Sequence, residues 1–188
     1  ERNEALATEI TGFLDNEAVH TALEYGCATG TLSIMLKDRF DRIFLGDSSP
    51  AMIDVLKDKL QQFNIQHLEP LCIDLEKSTP TLNVDVVYTS MTMHHVKDIH
   101  LVINGFCKIL NNNGLLIIAD LIEEDGSFHW HVPDFDGHKG FDLQWFKEQL
   151  TAAGLKVENE RIFYTIAKKD SDGIIKHYPV FVVVARKA

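Results

Sequence analysis

Strand-like and helix-like segments alternate along almost the whole chain, with no linker, repeat or low-complexity stretch between them. Glu4 to Leu14 carries Leu6, Ile10, Phe13 and Leu14 at helical spacing, which predicts an amphipathic leading helix within residues 1–18. Val19 to Tyr25 reads as a short strand, followed by a helix with Leu32, Met35, Leu36 and Phe40 on one face. Arg42 to Leu45 is the next strand. Ser49 and Pro50 then form a strong helix start, with Met52, Val55, Leu56, Leu60 and Phe63 as the expected buried stripe. Ile65–Ile73, Asp85–Tyr88 and Leu115–Asp120 continue the strands, and Asp98–Leu110 is a helix that the turn NNNG at 111–114 should end. Leu143, Phe146 and Leu150 mark a later helix stopped at Gly154. Val157–Ala167 and His177–Ala185 read as strands around KKDSDGIIK, whose Asp172-Gly173 is a hairpin turn signal.

Such βα alternation implies a parallel sheet with helices on both faces, because right-handed crossovers cover both sides. The prediction is an α/β fold: one domain over 1–188, Rossmann-like and doubly wound, with a mostly parallel seven-stranded sheet and a C-terminal antiparallel hairpin. A length of 188 residues suits one domain with a sizeable core. No apolar run approaches the roughly 20 residues that span a bilayer, and no signal-peptide pattern opens the chain. The chain begins at Glu1 rather than Met, so a preceding N-terminal piece is expected. Formal net charge is −10 with no basic block, which argues against a nucleic-acid partner. Cys27, Cys72 and Cys107 form no CxxC pair and no metal-ligand spacing, in keeping with a reducing cytoplasm.

In a sheet of this kind the binding crevice lies at the carboxyl ends of the strands, where the strand order reverses. Gly26–Gly30, Asp47, Asp74 and Ser90–His95 all fall just after predicted strands and should converge there. A glycine-rich turn lets backbone approach a ligand and aims the next helix's N–H groups at it, although a bare strand-to-helix turn has the same pattern. Asp47 could accept from both hydroxyls of a ribose, or simply cap the following helix. Asp74 could accept an adenine's exocyclic amine while Leu75 packs on the ring, or be an exposed turn acid.

Together, LEYGCATG, LGDSSPAM, CIDLE, DVVYTSMTMHHVKD and LNNNGLLIIAD, in that order and followed by the hairpin, resemble the class I S-adenosylmethionine-dependent methyltransferases of the small-molecule type. The resemblance spans roughly residues 20–187 and implies S-adenosyl-L-methionine as cofactor, with S-adenosyl-L-homocysteine as product. It further implies that Glu24 and the loop Gly26, Ala28 and Gly30 face the methionine part, and that Asp47 holds the ribose. Ser48 or Met52 would lie near the adenine, Asp74 and Leu75 would recognise it, and Ser90 and Met91 would border the methionine end. Ala28 departs from the family's usual central glycine; its methyl is a problem only at positive φ or where the cofactor touches its Cα. NAD is a poorer fit, because Ala28 and Thr31 occupy two of the three glycine positions of its fingerprint.

Methyl transfer needs alignment first, and a base only when the nucleophile carries a proton. His94 and His95 follow the fourth strand; one should face the cleft and the other pack or cap the next helix. The stretch SFHWHVPDFDGHKGFD lies within 121–142, where this fold places substrate-covering loops. It makes His129, His131 and His138, together with His95, the candidate catalytic residues. His129, His131, His138 and nearby aspartates could also hold zinc if the loop curled suitably, but no spacing is a metal motif and no metal site is expected. The expectation is a cytoplasmic enzyme, monomer or homodimer, that methylates a small organic acceptor on oxygen, nitrogen or carbon. The alternative is a non-catalytic binding or partner module on the same fold.

Overall fold

The computed structural model describes residues 1–188 and carries seven strands in one sheet. β1 (Thr21–Tyr25), β2 (Arg42–Asp47), β3 (Leu68–Cys72), β4 (Val84–Ser90) and β5 (Leu110–Leu121) run parallel. β7 (Ile175–Lys187) runs antiparallel to both β5 and β6 (Leu155–Lys169). Their order is β3-β2-β1-β4-β5-β7-β6, the predicted doubly wound sheet closed by its hairpin. Gly173, at φ 78, supplies the left-handed backbone of the hairpin turn, as the Asp-Gly pair requires. The chain goes out from β1 through β2 to β3 and returns to β4 on the other side of β1. The order therefore reverses between β1 and β4.

Both faces of the sheet are covered, so its central strands are continuous apolar runs. Leu23 and Tyr25 join one core with α4 (Ile99–Ile109) and α5 (Leu143–Ala152), where Phe106 and Phe146 are fully buried. Ala22 joins the other core with α1 (Arg2–Leu14), α2 (Thr31–Leu36) and α3 (Pro50–Gln62). Phe181 and Val183 of β7 face the first core, and Val182 and Val184 the second. Three helices start on side-chain caps: Ser49, Asp98 and Asp142 accept from Met52, Leu101 and Trp145 N–H at 3.4, 3.0 and 2.7 Å. No helix is long and apolar enough to cross a membrane.

Two helices bury only part of the stripe that their apolar spacing predicts. In α3 the buried residues are Ile53, Leu56 and Leu60, while Met52, Val55 and Phe63 are 41%, 52% and 61% exposed. In α2 Leu32, Ser33 and Leu36 are buried, and Met35 faces out. Each helix carries more apolar residues than one stripe can hold, and docking on the sheet selects among them. The NNNG turn also differs. Helix α4 gives way directly to β5, and Asn111–Gly114 sit where the β4–β5 register shifts, with Asn113 as the left-handed residue at φ 62.

Candidate active site

The loop after β1 is a run of left-handed backbone: Gly26, Ala28 and Gly30 have φ of 74, 46 and 67°. Gly26 and Cys27 N–H both donate to the Gly46 carbonyl at 2.8 and 3.1 Å, which fastens the loop to the end of β2. A Cβ on Gly26 would run into the Thr92 side chain, so this glycine is required by contact as well as by φ. Ala28 does occupy the positive φ that glycine normally fills, at a cost of about 1–2 kcal/mol. Its N–H donates to Asp47 Oδ2 at 2.9 Å, while Asp47 Oδ1 accepts from Ser49 N–H at 2.9 Å. Each oxygen keeps a lone pair for another donor.

Two adjoining cavities open at the carboxyl ends of β1, β2 and β4 and share Gly26, Met91 and Thr92. One, of about 250 Å³, is lined also by Tyr25, Asp47, Ser48 and His95. The other, of about 260 Å³, adds Arg2, Glu24, Ala28 and Ser90 among its walls. Met91 is itself at φ 54, so strained backbone borders the cleft from β1 and from β4 alike. Glu24, Gly26, Ala28, Asp47, Ser48, Ser90 and Met91 thus meet as expected from their places after the strands.

Gly30, Met52, Asp74 and Leu75 line neither cavity. Asp74 pairs with Lys77 at 2.8 Å, and that partner holds its carboxyl below the usual carboxylate range. Leu75 is buried, with its N–H on Tyr25 Oη at 3.4 Å, one side chain behind the cleft wall.

Glu24 is buried beneath the loop. Ser33 donates to its Oε2 through both Oγ and N–H, and Ser33 Oγ lies 2.5 Å from Tyr88 Oη. Burial pushes the Glu24 carboxyl up to about 7, against the downward pull of the Ser33 hydrogen bonds. Across the cavity, Arg2 is half-buried, and its Nε is a buried donor with no partner, as Ser90 Oγ is a buried hydroxyl with none. Unpaired buried donors are costly, and both residues lie in the wall of this cavity. Pattern reading passed over Arg2, because its role arises only when α1 folds over the loop.

The histidines sort into two groups. His94 is buried on the 3₁₀ turn Met93–His95, and its Nδ1 lies 2.6 Å from Asp120 Oδ1 at the end of β5. The rings of His95 and His129 lie 4.1 and 5.1 Å from it, so three histidines from the turn after β4 and the 121–142 loop form one cluster. Burial and the neighbouring imidazoles lower the pKa of His95, and that of His129 to about 4. His131 instead faces Lys168 Nζ at 3.3 Å, and His138 packs on Phe141. The trio within the loop is therefore not brought together; His129 meets His94 and His95 of the turn after β4 instead. Phe135 stacks on His129 at 3.8 Å, and the loop is pinned at its base by Glu123 N–H to Phe141 O at 3.0 Å and across the cluster by His138 N–H to His94 O at 2.7 Å.

A seven-stranded sheet of this order, with a glycine loop after β1 and an acid closing β2, defines the class I S-adenosylmethionine-dependent methyltransferase fold. The chain belongs to that family, residues 1–160 matching the methyltransferase domain. It is 34% identical over 137 residues to the uncharacterized methyltransferase C1347.09 of Schizosaccharomyces pombe, covering 68% of this chain and 48% of that protein. The chain thus spans about half the length of that curated relative. In fold it is similar to the YcgJ protein of Bacillus subtilis, with TM-score 0.79 at 12% identity over 96% of this chain and 97% of that one. It is also similar to the N-methyltransferase NodS of Bradyrhizobium japonicum in complex with S-adenosylhomocysteine, with TM-score 0.73 at 16% identity over 98% and 86% of the two chains.

Proposed function

We propose that this chain is the catalytic domain of a cytoplasmic methyltransferase, one domain over 1–188, that uses S-adenosylmethionine on a small organic acceptor. The observation that carries the reading is the paired cavity around Gly26, walled by Asp47 on one side and by Glu24 and Arg2 on the other. Asp47 has acceptor capacity for two ribose hydroxyls. Arg2 Nε and the Glu24 carboxylate are complementary to the carboxylate and ammonium of an amino-acid tail. Ser48, Met52, Asp74 and Leu75 are the candidates for the adenine end.

When bound, the cofactor supplies a methyl group on a sulfonium, activated for in-line displacement. The residues of the chain have the remaining tasks: to align the acceptor and to exclude water. Residues 121–142 cover the acceptor, with Phe128, Phe135 and the cluster histidines as its wall. His95 and His129 are neutral at pH 7 and present lone pairs on that side, whereas His131 and His138 face elsewhere. The aromatic wall and net charge of −10 favour a small organic acceptor over a nucleic acid.

Calorimetric titration with S-adenosylmethionine and S-adenosylhomocysteine tests the reading. Binding at one site, lost in Asp47→Ala with the fold intact by circular dichroism, is the expected result. Turnover of no member of a broad acceptor panel by a cofactor-binding protein would favour the binding-module alternative; no cofactor binding at all would remove the cleft assignment.

A further inference from the structure

We propose that His94, His95 and His129 form a binding site for one divalent first-row transition cation, beside the cofactor cleft. Each offers one ring nitrogen, and these atoms all lie within 4.8 Å of one another. Imidazole nitrogens bound to a tetrahedral ion at 2.0–2.1 Å stand about 3.4 Å apart, so small ring rotations close the set. His95 is exposed and free to make them, while His94 is fixed.

The support around His94 is that of a ligand. Asp120 Oδ1 takes its Nδ1, Asp120 Oδ2 accepts its backbone N–H at 3.2 Å, and Leu121 N–H holds the same carboxylate at 2.7 Å. A carboxylate on one imidazole nitrogen fixes the tautomer and leaves the other as a basic, oriented donor. His129 is oriented without hydrogen bonds, between the stacked ring of Phe135 and the edge of Phe128 at 4.9 Å. An all-imidazole set selects zinc, copper, iron or nickel over magnesium or calcium.

Three protein ligands leave an open position on a tetrahedral ion, the pattern of catalytic rather than structural sites. His95 also lines the cavity that holds Asp47 and Thr92, which puts the ion beside the cofactor cleft. The inference rests on the proposed function in this respect alone: the open position would take an oxygen, nitrogen or sulfur lone pair of the acceptor. His95 and His129 then act as ligands, and the ion replaces a general base by lowering the acceptor's pKa.

The test is titration of chelator-treated protein with Zn²⁺ by calorimetry and with Co²⁺ by visible absorption. One equivalent should bind, with the intense d–d bands of a four-coordinate site. Affinity should fall at least tenfold in His95→Gln and in His129→Ala, 10–100-fold in Asp120→Asn, and stay unchanged in His131→Ala. Circular dichroism verifies that each variant folds, and exposed His95 provides a substitution with little structural cost. Absence of a stoichiometric site, or affinity that survives His95→Gln and His129→Ala, overturns the proposal. S-adenosylhomocysteine is titrated into the same metal-free protein: its binding without Zn²⁺ binding removes only the metal site, and the reverse removes only the cofactor reading.

Discussion

Ala28 donates its backbone N–H to Asp47 Oδ2 at 2.9 Å while holding a left-handed φ of 46°. The bond ties the glycine loop to the end of β2 and keeps strained backbone in place where a methyl-bearing residue would relax out of it. The methyl group distorts nothing else that the loop does: Gly26 and Gly30 keep their own left-handed conformations on either side.

Ala28→Gly should therefore stabilise the protein by about 0.5–1 kcal/mol, the relief of strain being partly offset by a more flexible unfolded chain. Thermal unfolding should show a rise of a few degrees, with cofactor affinity preserved. A fall in the melting temperature would mean that the φ of this residue carries no strain.

Gly26→Ala should act in the opposite sense. It meets both positive φ and the Thr92 side chain, so a loss of at least about 2 kcal/mol is expected in urea unfolding. Thr92→Ser in the same chain should restore a part of it, because one of the clashing atoms is removed.

Glu24 makes stability depend on pH. Its folded pKa of about 7 lies above the usual 4.5, so between those values the unfolded chain loses its proton while the folded one keeps it. The contribution is full below pH 4.5, declines as pH rises to 7 and is gone above, amounting to about 3 kcal/mol. Urea unfolding at pH 5 and pH 8 should show that Glu24→Gln removes this decline. An identical slope in the variant would assign the dependence to other groups.

Asp120→Ala should be destabilising, by about 1–3 kcal/mol, since it leaves a fully buried imidazole N–H without its acceptor. Asp120→Asn retains an acceptor for His94 and should cost less. Chemical denaturation of the two variants side by side reads the difference; equal losses would show that shape rather than the carboxylate matters here.

Sequence by itself determined the alternation of strands and helices, the cap at Ser49, the hairpin turn and the cleft residues that close β1, β2 and β4. These are local features: a turn, a cap or a strand end is encoded within a few residues, and the parallel topology places all such ends on one side. Tertiary structure alone decided that Met35, Met52, Val55 and Phe63 stay outside the buried stripes of α2 and α3, because a helix with surplus apolar residues has no preference among them until it docks. It also decided the histidine cluster. His129 is near His131 and His138 in the chain, yet its loop is pinned to His94 by the His138 N–H and brings it to the turn after β4 instead. Arg2 likewise reaches the cleft only through the packing of α1 against the sheet. Contacts between distant segments depend on burial summed over the whole core, which no short stretch of sequence contains.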